Sequence, residues 1–293
     1  MRLPHFDYYM PGTIEEAIGL LQSKGPDARV MAGGTDLMIK MRHGGLKLKT
    51  IVALKGIKGL DQIRFDKAAG LTIGATALLA DVATHPDILK FYPTVAAAAR
   101  GTANAQVRNM GTVIGNLCNA SPAADNAPTL LALGADVHIR GPLGERMMPL
   151  EEFFRGPGVT ALQPFEIVTA VHVAVPSPNS ATAYLSLSAR GKLDCTAVGA
   201  AAKVTLNGSK CEDVRVFISA CGPTPIRAVK AESIIRGKEW TADVLEKAGV
   251  QASEETTPIT DLRASANYRS KIVAVLARRA LQGAYGRAVN GEL

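Results

Sequence analysis

The chain has 293 residues, 47% hydrophobic and 20% charged, with a formal net charge of +7. That length allows two domains and a sizeable core, and the composition is that of an ordinary soluble globular protein. No run reaches the roughly 18–20 apolar residues of a membrane span, and Met1-Arg2-Leu3-Pro4-His5-Phe6 has no apolar signal core, so the expected location is cytoplasmic.

Taken in chain order, the first predicted helix is capped by Thr13, with Glu16 three residues on as the return arm of a capping box. Ile14, Ala17, Ile18 and Leu21 share one face, and Gly25-Pro26 ends it. A short strand over 29–31 runs into Ala32-Gly33-Gly34-Thr35-Asp36, and a second helix starts near Asp36. Residues 50–54 read as a buried strand, 56–60 as a connection, and 62–65 and 71–75 as strands. Thr76 is placed to cap a helix over 77–83, and 94–100 is an alanine-rich helix. A loop rich in small polar residues spans 108–125, followed by a helix over 126–133. Residues 135–140 alternate as a strand before a Gly141-Pro142-Leu143-Gly144 turn, and 166–175 form another strand.

Pro176-Ser177-Pro178-Asn179-Ser180 is the best domain boundary. Strands over 183–188, 197–206 and 214–220, joined by turns such as Asn207-Gly208, suggest a three-stranded antiparallel sheet, and helices follow over 227–235, 241–252 and 267–287. Strands followed by helices indicate a separate α+β unit. Residues 1–176 carry 17 basic and 15 acidic side chains, residues 177–293 carry 16 and 11. The excess in the second part is read as a solvated surface rather than a nucleic-acid face, because no basic cluster is interleaved with aromatics.

The four cysteines, Cys118, Cys195, Cys211 and Cys221, form no C-x-x-C pair, and the five histidines are scattered. An iron–sulfur cluster, a metal site or a disulfide framework in this chain is therefore not expected.

The chemistry concentrates in two loops. Gly33 and Gly34 after a strand, then Thr35 and a helix start, can present a nest of backbone N–H groups to a phosphate. Asp36 fits poorly beside phosphate and reads as a helix cap or as a partner for ring or ribitol groups. In the second loop Thr112 and Asn116 offer side-chain donors, and Gly111 and Gly115 let backbone approach a ligand. Asp125 opens an apolar helix, where it either caps that helix or accepts bonds from ribose hydroxyls or a ring N–H. Neither a G-x-G-x-x-G fingerprint nor a P-loop is present.

Ala32-Gly33-Gly34-Thr35-Asp36, Thr112-Val113-Ile114-Gly115-Asn116-Leu117 and Ser121-Pro122-Ala123-Ala124-Asp125 match in order and spacing the pattern A-G-G-x-[ST/D], T-[IV]-G-G-N-L and S-P-x-A-D. With Gln106-Val107-Arg108-Asn109, Phe153-Phe154-Arg155-Gly156 and Pro164-Phe165-Glu166-Ile167-Val168, the chain resembles the FAD-binding medium subunit of the molybdenum hydroxylases, the family of xanthine dehydrogenase and carbon monoxide dehydrogenase. The resemblance implies an α+β fold: a two-subdomain FAD-binding domain of the p-cresol methylhydroxylase type over 1–176 (about 1–56 and 57–176), then a smaller α/β domain over 177–293. It implies that noncovalent FAD is contacted by Val30, Met31, Ala32, Gly33, Gly34, Thr35, Asp36 and Leu37. Gly111, Thr112, Val113, Ile114, Gly115, Asn116 and Asp125 are implied as further contacts, with Thr102 and Val168 at more variable positions.

By the same resemblance the chain passes electrons from [2Fe-2S] clusters of an iron–sulfur subunit to an external acceptor. A large subunit holds the molybdenum cofactor, and the whole assembles as a dimer of heterotrimers. The alternatives are a stand-alone FAD-dependent oxidoreductase of the same fold and a flavin-free scaffold. Two departures stand out. Ile114 replaces the first glycine of the family's G-G pair; a β-branched residue takes positive φ only with strain, so the loop either uses an ordinary backbone angle or points that side chain along the flavin. The family lysine after the aromatic residue is missing at Leu185 and Ser186, so either affinity is reduced or Lys192 compensates.

Overall fold

A computed structural model describes residues 3–191 and 194–293. Lys192, named above as a compensating charge, lies outside the described residues.

The first sheet is small and parallel. Strand β1 (Asp7–Tyr9), β2 (Ala28–Met31) and β3 (Thr50–Ala53) are ordered β1-β3-β2, with β3 parallel to both neighbours. The middle strand, Thr50-Ile51-Val52-Ala53, is buried throughout, as a parallel strand covered on both faces must be. Helix α1 (Ile14–Lys24) buries Ile14, Ala17, Ile18 and Leu21 against Val52 and Leu54 on one face, while Ile51 packs with Met41 and Leu48 on the other. The Thr13 hydroxyl accepts from the Glu16 N–H at 3.1 Å. The Glu16 carboxylate returns to the N–H of Gly12 at 2.8 Å, one residue earlier than an ideal capping box. Helix α2 (Leu37–Arg42) completes this lobe.

The second lobe is built on a five-stranded antiparallel sheet. Strands β4 (Ile63–Asp66), β5 (Gly70–Gly74), β6 (Asp136–Gly141) and β7 (Gly144–Pro149) precede a short β8–β9 pair (Phe154–Gly156, Val159–Thr160) and β10 (Ile167–Val173). The order is β4-β5-β10-β6-β7, so the last strand in sequence occupies the centre. Helices α3 (Leu79–Val82), α4 (Pro86–Phe91), α5 (Pro93–Gly101), α6 (Ala105–Arg108), α7 (Val113–Cys118) and α8 (Asn126–Ala132) cover it. Thr76 does not cap α3: the N-cap position is Leu78, and the Thr76 N–H is spent on the Leu60 carbonyl at 2.8 Å.

Beyond residue 179 come three long antiparallel strands, β11 (Ser180–Ser188), β12 (Thr196–Asn207) and β13 (Lys210–Ser219), and a two-residue edge strand β14 (Ile226–Arg227). Asn207 pairs with Lys210, so the two-residue hairpin loop is Gly208-Ser209, with Gly208 at φ 60° as such turns require. Helices α9 (Val229–Ile235), α10 (Ala242–Glu254) and α11 (Ala266–Val289) close one face. The opposite face, through Ala201 and Phe217, joins the core of the second lobe. One joint is polar. The Ala220 N–H donates to Pro122 O at 2.7 Å, and the fully buried Arg269 donates to Ala220 O at 2.7 Å.

Candidate functional site

The two glycine loops meet. Gly33 lies so close to the second loop that a Cβ built on it would stand 2.7 Å from Gly111 Cα and 2.8 Å from the Met110 carbonyl carbon. Gly34 has φ 74°, a left-handed angle that a side chain tolerates poorly. These two glycines serve different ends: the first permits contact between the loops, the second the turn into α2. The backbone N–H groups of Gly33, Gly34, Thr35 and Asp36 have no hydrogen-bond acceptor among the described residues.

The junction forms one wall of a cavity of about 1340 Å³, larger than the roughly 300–1,000 Å³ that suits most small ligands and suited to a dinucleotide. Unsatisfied N–H groups on its wall fit a ligand rich in anionic oxygens. All of Val30 to Leu37 line it. So do Gly111, Thr112, Ile114, Gly115 and Asn116, and from elsewhere Thr102, Asp125 and Val168. Val113 does not: it is fully buried in the core of the second lobe, because α7 turns it inward.

The stretch read as a loop is partly helical. Thr112 caps α7, its hydroxyl accepting from the Gly115 N–H at 2.9 Å. Ile114 therefore takes an ordinary helical angle, and its side chain is 4% exposed in the same core. The family glycine is dispensable here because this backbone does not need positive φ. Left-handed angles fall instead on Ala103 (φ 47°), Ala120 (φ 47°) and Phe165 (φ 66°). Ala103 and Phe165 line the cavity, and such angles cost about 1–3 kcal/mol each. The Ala103 turn is braced by Arg108, which donates to Thr102 O at 3.1 Å and Ala103 O at 3.0 Å.

Neither acidic residue singled out in the sequence caps its helix. Asp36 stands at the N-cap of α2 without a cap bond. Asp125, at the N-cap of α8, likewise makes none. Its Oδ1 accepts from Thr196 at 2.6 Å and from Tyr184 at 3.1 Å. Tyr184 and Thr196 belong to β11 and β12, so the third sheet orients a carboxylate on the cavity wall. Burial pushes the Asp125 carboxyl above its usual value, and the two hydroxyls partly offset this. A carboxylate with a raised folded pKa opposes folding once it ionises. The stability it permits is full below the ordinary carboxylate value and is lost as pH rises through the raised one. Asp125→Asn keeps an acceptor for both hydroxyls and removes the charge. In the flavin-free chain it should be more stable than the parent at pH 7, with the difference vanishing near pH 3. Urea denaturation at the two pH values reads this, and an unchanged difference would overturn the assignment.

Sequence reading missed several lining groups. Lys40 lines the cavity and donates to Asn119 Oδ1 at 2.5 Å; Arg29, also lining, is tied to Pro26 O and Ala28 O at 2.9 and 2.8 Å. Leu185 and Ser186 are exposed and do not line the cavity, so its described cations come from the first lobe. Glu166 is held by Arg146 in a bidentate pair with both contacts at 2.7 Å, which keeps its carboxyl below the usual range. Cys118 also lines the wall, and burial pushes its thiol up to about 12, which keeps it neutral.

Residues 4–178 match the family model for the FAD binding domain in molybdopterin dehydrogenase, and residues 183–284 match that for the CO dehydrogenase flavoprotein C-terminal domain. The chain belongs to the FAD-binding medium subunits of the xanthine dehydrogenase and carbon monoxide dehydrogenase family of molybdenum hydroxylases. Among its relatives is the carbon monoxide dehydrogenase medium chain of Afipia carboxidovorans, 32% identical, covering 97% of this chain and 98% of that one. A xanthine dehydrogenase FAD-binding subunit of Escherichia coli is 28% identical over 98% of each. In structure the chain is similar to carbon monoxide dehydrogenase from Hydrogenophaga pseudoflava, with a TM-score of 0.95 and 30% identity over 98% of this chain and 99% of that chain. This family member is thus an oxidoreductase subunit carrying an FAD-binding domain. Among the described residues no helix is long and apolar enough to cross a membrane.

Proposed function

We propose that the chain is the electron-transferring flavin subunit of a multisubunit molybdenum hydroxylase, with FAD held noncovalently in the cavity between the two glycine loops. The observation that carries this is the contact of Gly33 with Met110 and Gly111 at the wall of a dinucleotide-sized cavity, beside four backbone N–H groups without acceptors among the described residues. These N–H groups would hold the pyrophosphate, and Asn116 would donate to the cofactor. Asp125, with one oxygen taken by Tyr184 and Thr196, keeps the other for a ribose hydroxyl or ring N–H. When bound, the isoalloxazine supplies the redox chemistry that lets electrons from a partner's iron–sulfur clusters reach an external acceptor. The protein's own part is to bind, orient and shield it.

The partners in this reading are an iron–sulfur subunit and a large molybdenum subunit, assembled as a dimer of heterotrimers. The domain division that goes with it is 1–176, with subdomains near 1–56 and 57–176, and 177–293. The expected result is one FAD per chain, released to the supernatant by acid. A native complex without a flavin spectrum after incubation with FAD would return the chain to a scaffold role, and flavin that stays with acid-precipitated protein would rule out noncovalent binding.

A further inference from the structure

A directional chain of hydrogen bonds runs behind the second loop. The Thr102 hydroxyl donates to Ala98 O at 2.9 Å at the end of α5. Its single proton is thereby used, and toward Asn126 it can only accept. Asn126, the first residue of α8 and 1% exposed, donates from Nδ2 to Thr102 Oγ1 at 3.1 Å and to Asn116 Oδ1 at 3.2 Å. Both protons of that amide are then committed. Asn116, a residue that lines the cavity, is left with its own NH₂ group, which has no acceptor among the described residues.

The reverse arrangement would turn both amides, so that Asn126 Oδ1 accepted from Thr102 and Asn116. The Asn126 NH₂ would then occupy the position where Oδ1 now has no partner among the described residues. A buried NH₂ with two unmet protons costs more than an under-satisfied oxygen, so the first direction is the stable one.

We propose that Asn126 is a positioning residue that locks the Asn116 amide as a hydrogen-bond donor toward an oxygen acceptor of bound FAD, with Thr102 accepting the second proton of the Asn126 amide. This rests on the reading of the cavity as the flavin site. Asn116 is the residue that touches cofactor; Asn126, which does not line the cavity, acts only through it. Sequence distance hid the arrangement, since Asn126 reads as an unremarkable first residue of an apolar helix.

The test is a mutant cycle on the deflavinated full chain, titrated with FAD and followed by flavin fluorescence. Asn116→Ala and Asn116→Asp should each weaken binding about tenfold, the effect of one lost buried hydrogen bond. Asn126→Asp retains shape but replaces the donor facing Asn116 with an acceptor, and should weaken binding by a similar factor. In the Asn116→Ala background it should add nothing, because there is no amide left to orient. Should Asn126→Asp fail to fold, as judged by circular dichroism, Asn126→Ala removes the same donor without adding a charge and must show the same loss of effect in that background. If either change weakens binding by the same factor with and without the Asn116 side chain, or leaves the parent affinity intact, positioning is wrong and the flavin site stands. If Asn116→Ala itself binds FAD like the parent, the contact at the end of the chain does not exist, and the role given to Asn116 in the site falls with it.

Discussion

Gly33→Val is expected to weaken FAD binding by about 30- to 150-fold, corresponding to about 2–3 kcal/mol of overpacking. The reason is steric and local. The atoms that a Cβ would meet, Gly111 Cα and the Met110 carbonyl, are backbone, so no side chain can rotate away. The loops must part, and the N–H groups of the first loop move off the wall that the second completes. Gly34→Val should act less directly: its Cβ would meet the flexible Met31 side chain, and the main cost is the left-handed backbone angle. Gly19, in α1 with open space around it, supplies the control, and Gly19→Ala should leave affinity unchanged. Isothermal titration of deflavinated protein, with thermal unfolding alongside, separates binding from folding. Parent-like affinity in Gly33→Val would mean that the loops need not touch to hold the cofactor.

The second large effect concerns where electrons enter. No group of three or more His, Cys, Asp or Glu side chains capable of holding a metal occurs among the described residues. Of the cysteines, Cys211 and Cys221 are buried around the third sheet, while Cys118 and Cys195 lie on the cavity. If the chain is a relay, electrons must therefore cross a protein interface. Removing the iron–sulfur subunit from the native complex should stop substrate-driven bleaching of flavin absorbance, while dithionite still bleaches it. The comparison is a single stopped-flow trace for each preparation. Substrate-driven reduction of the isolated chain at a rate comparable to the complex would replace the relay with a stand-alone oxidoreductase.

Elements with strong local signals were legible. Helix α1 was marked by its cap and its apolar face, and β12 and β13 by length and apolar content. Strand β1 and helices α4, α6 and α7 were not. Each is at most six residues long, too short for a period to show: α4 and α7 are held by buried side chains, β1 by pairing with β3, and α6 by its Asn104 cap. Helix α7 shows the consequence. As a helix its segment gives Ile114 an ordinary backbone angle and buries the side chain of Val113, which the family resemblance implied as a contact.

The sequence by itself determined the family and the positions of the two glycine loops, because a ligand-facing turn needs particular small residues in consecutive positions and leaves them visible as a string. The tertiary structure alone decided what those residues touch. Gly33 meets Gly111 across 78 residues of chain, and Asp125 is held by Tyr184 and Thr196, 59 and 71 residues away. Asn116 is turned by Asn126. Such contacts join side chains from separate elements, and their geometry depends on how sheets and helices pack, which no local pattern of residues records.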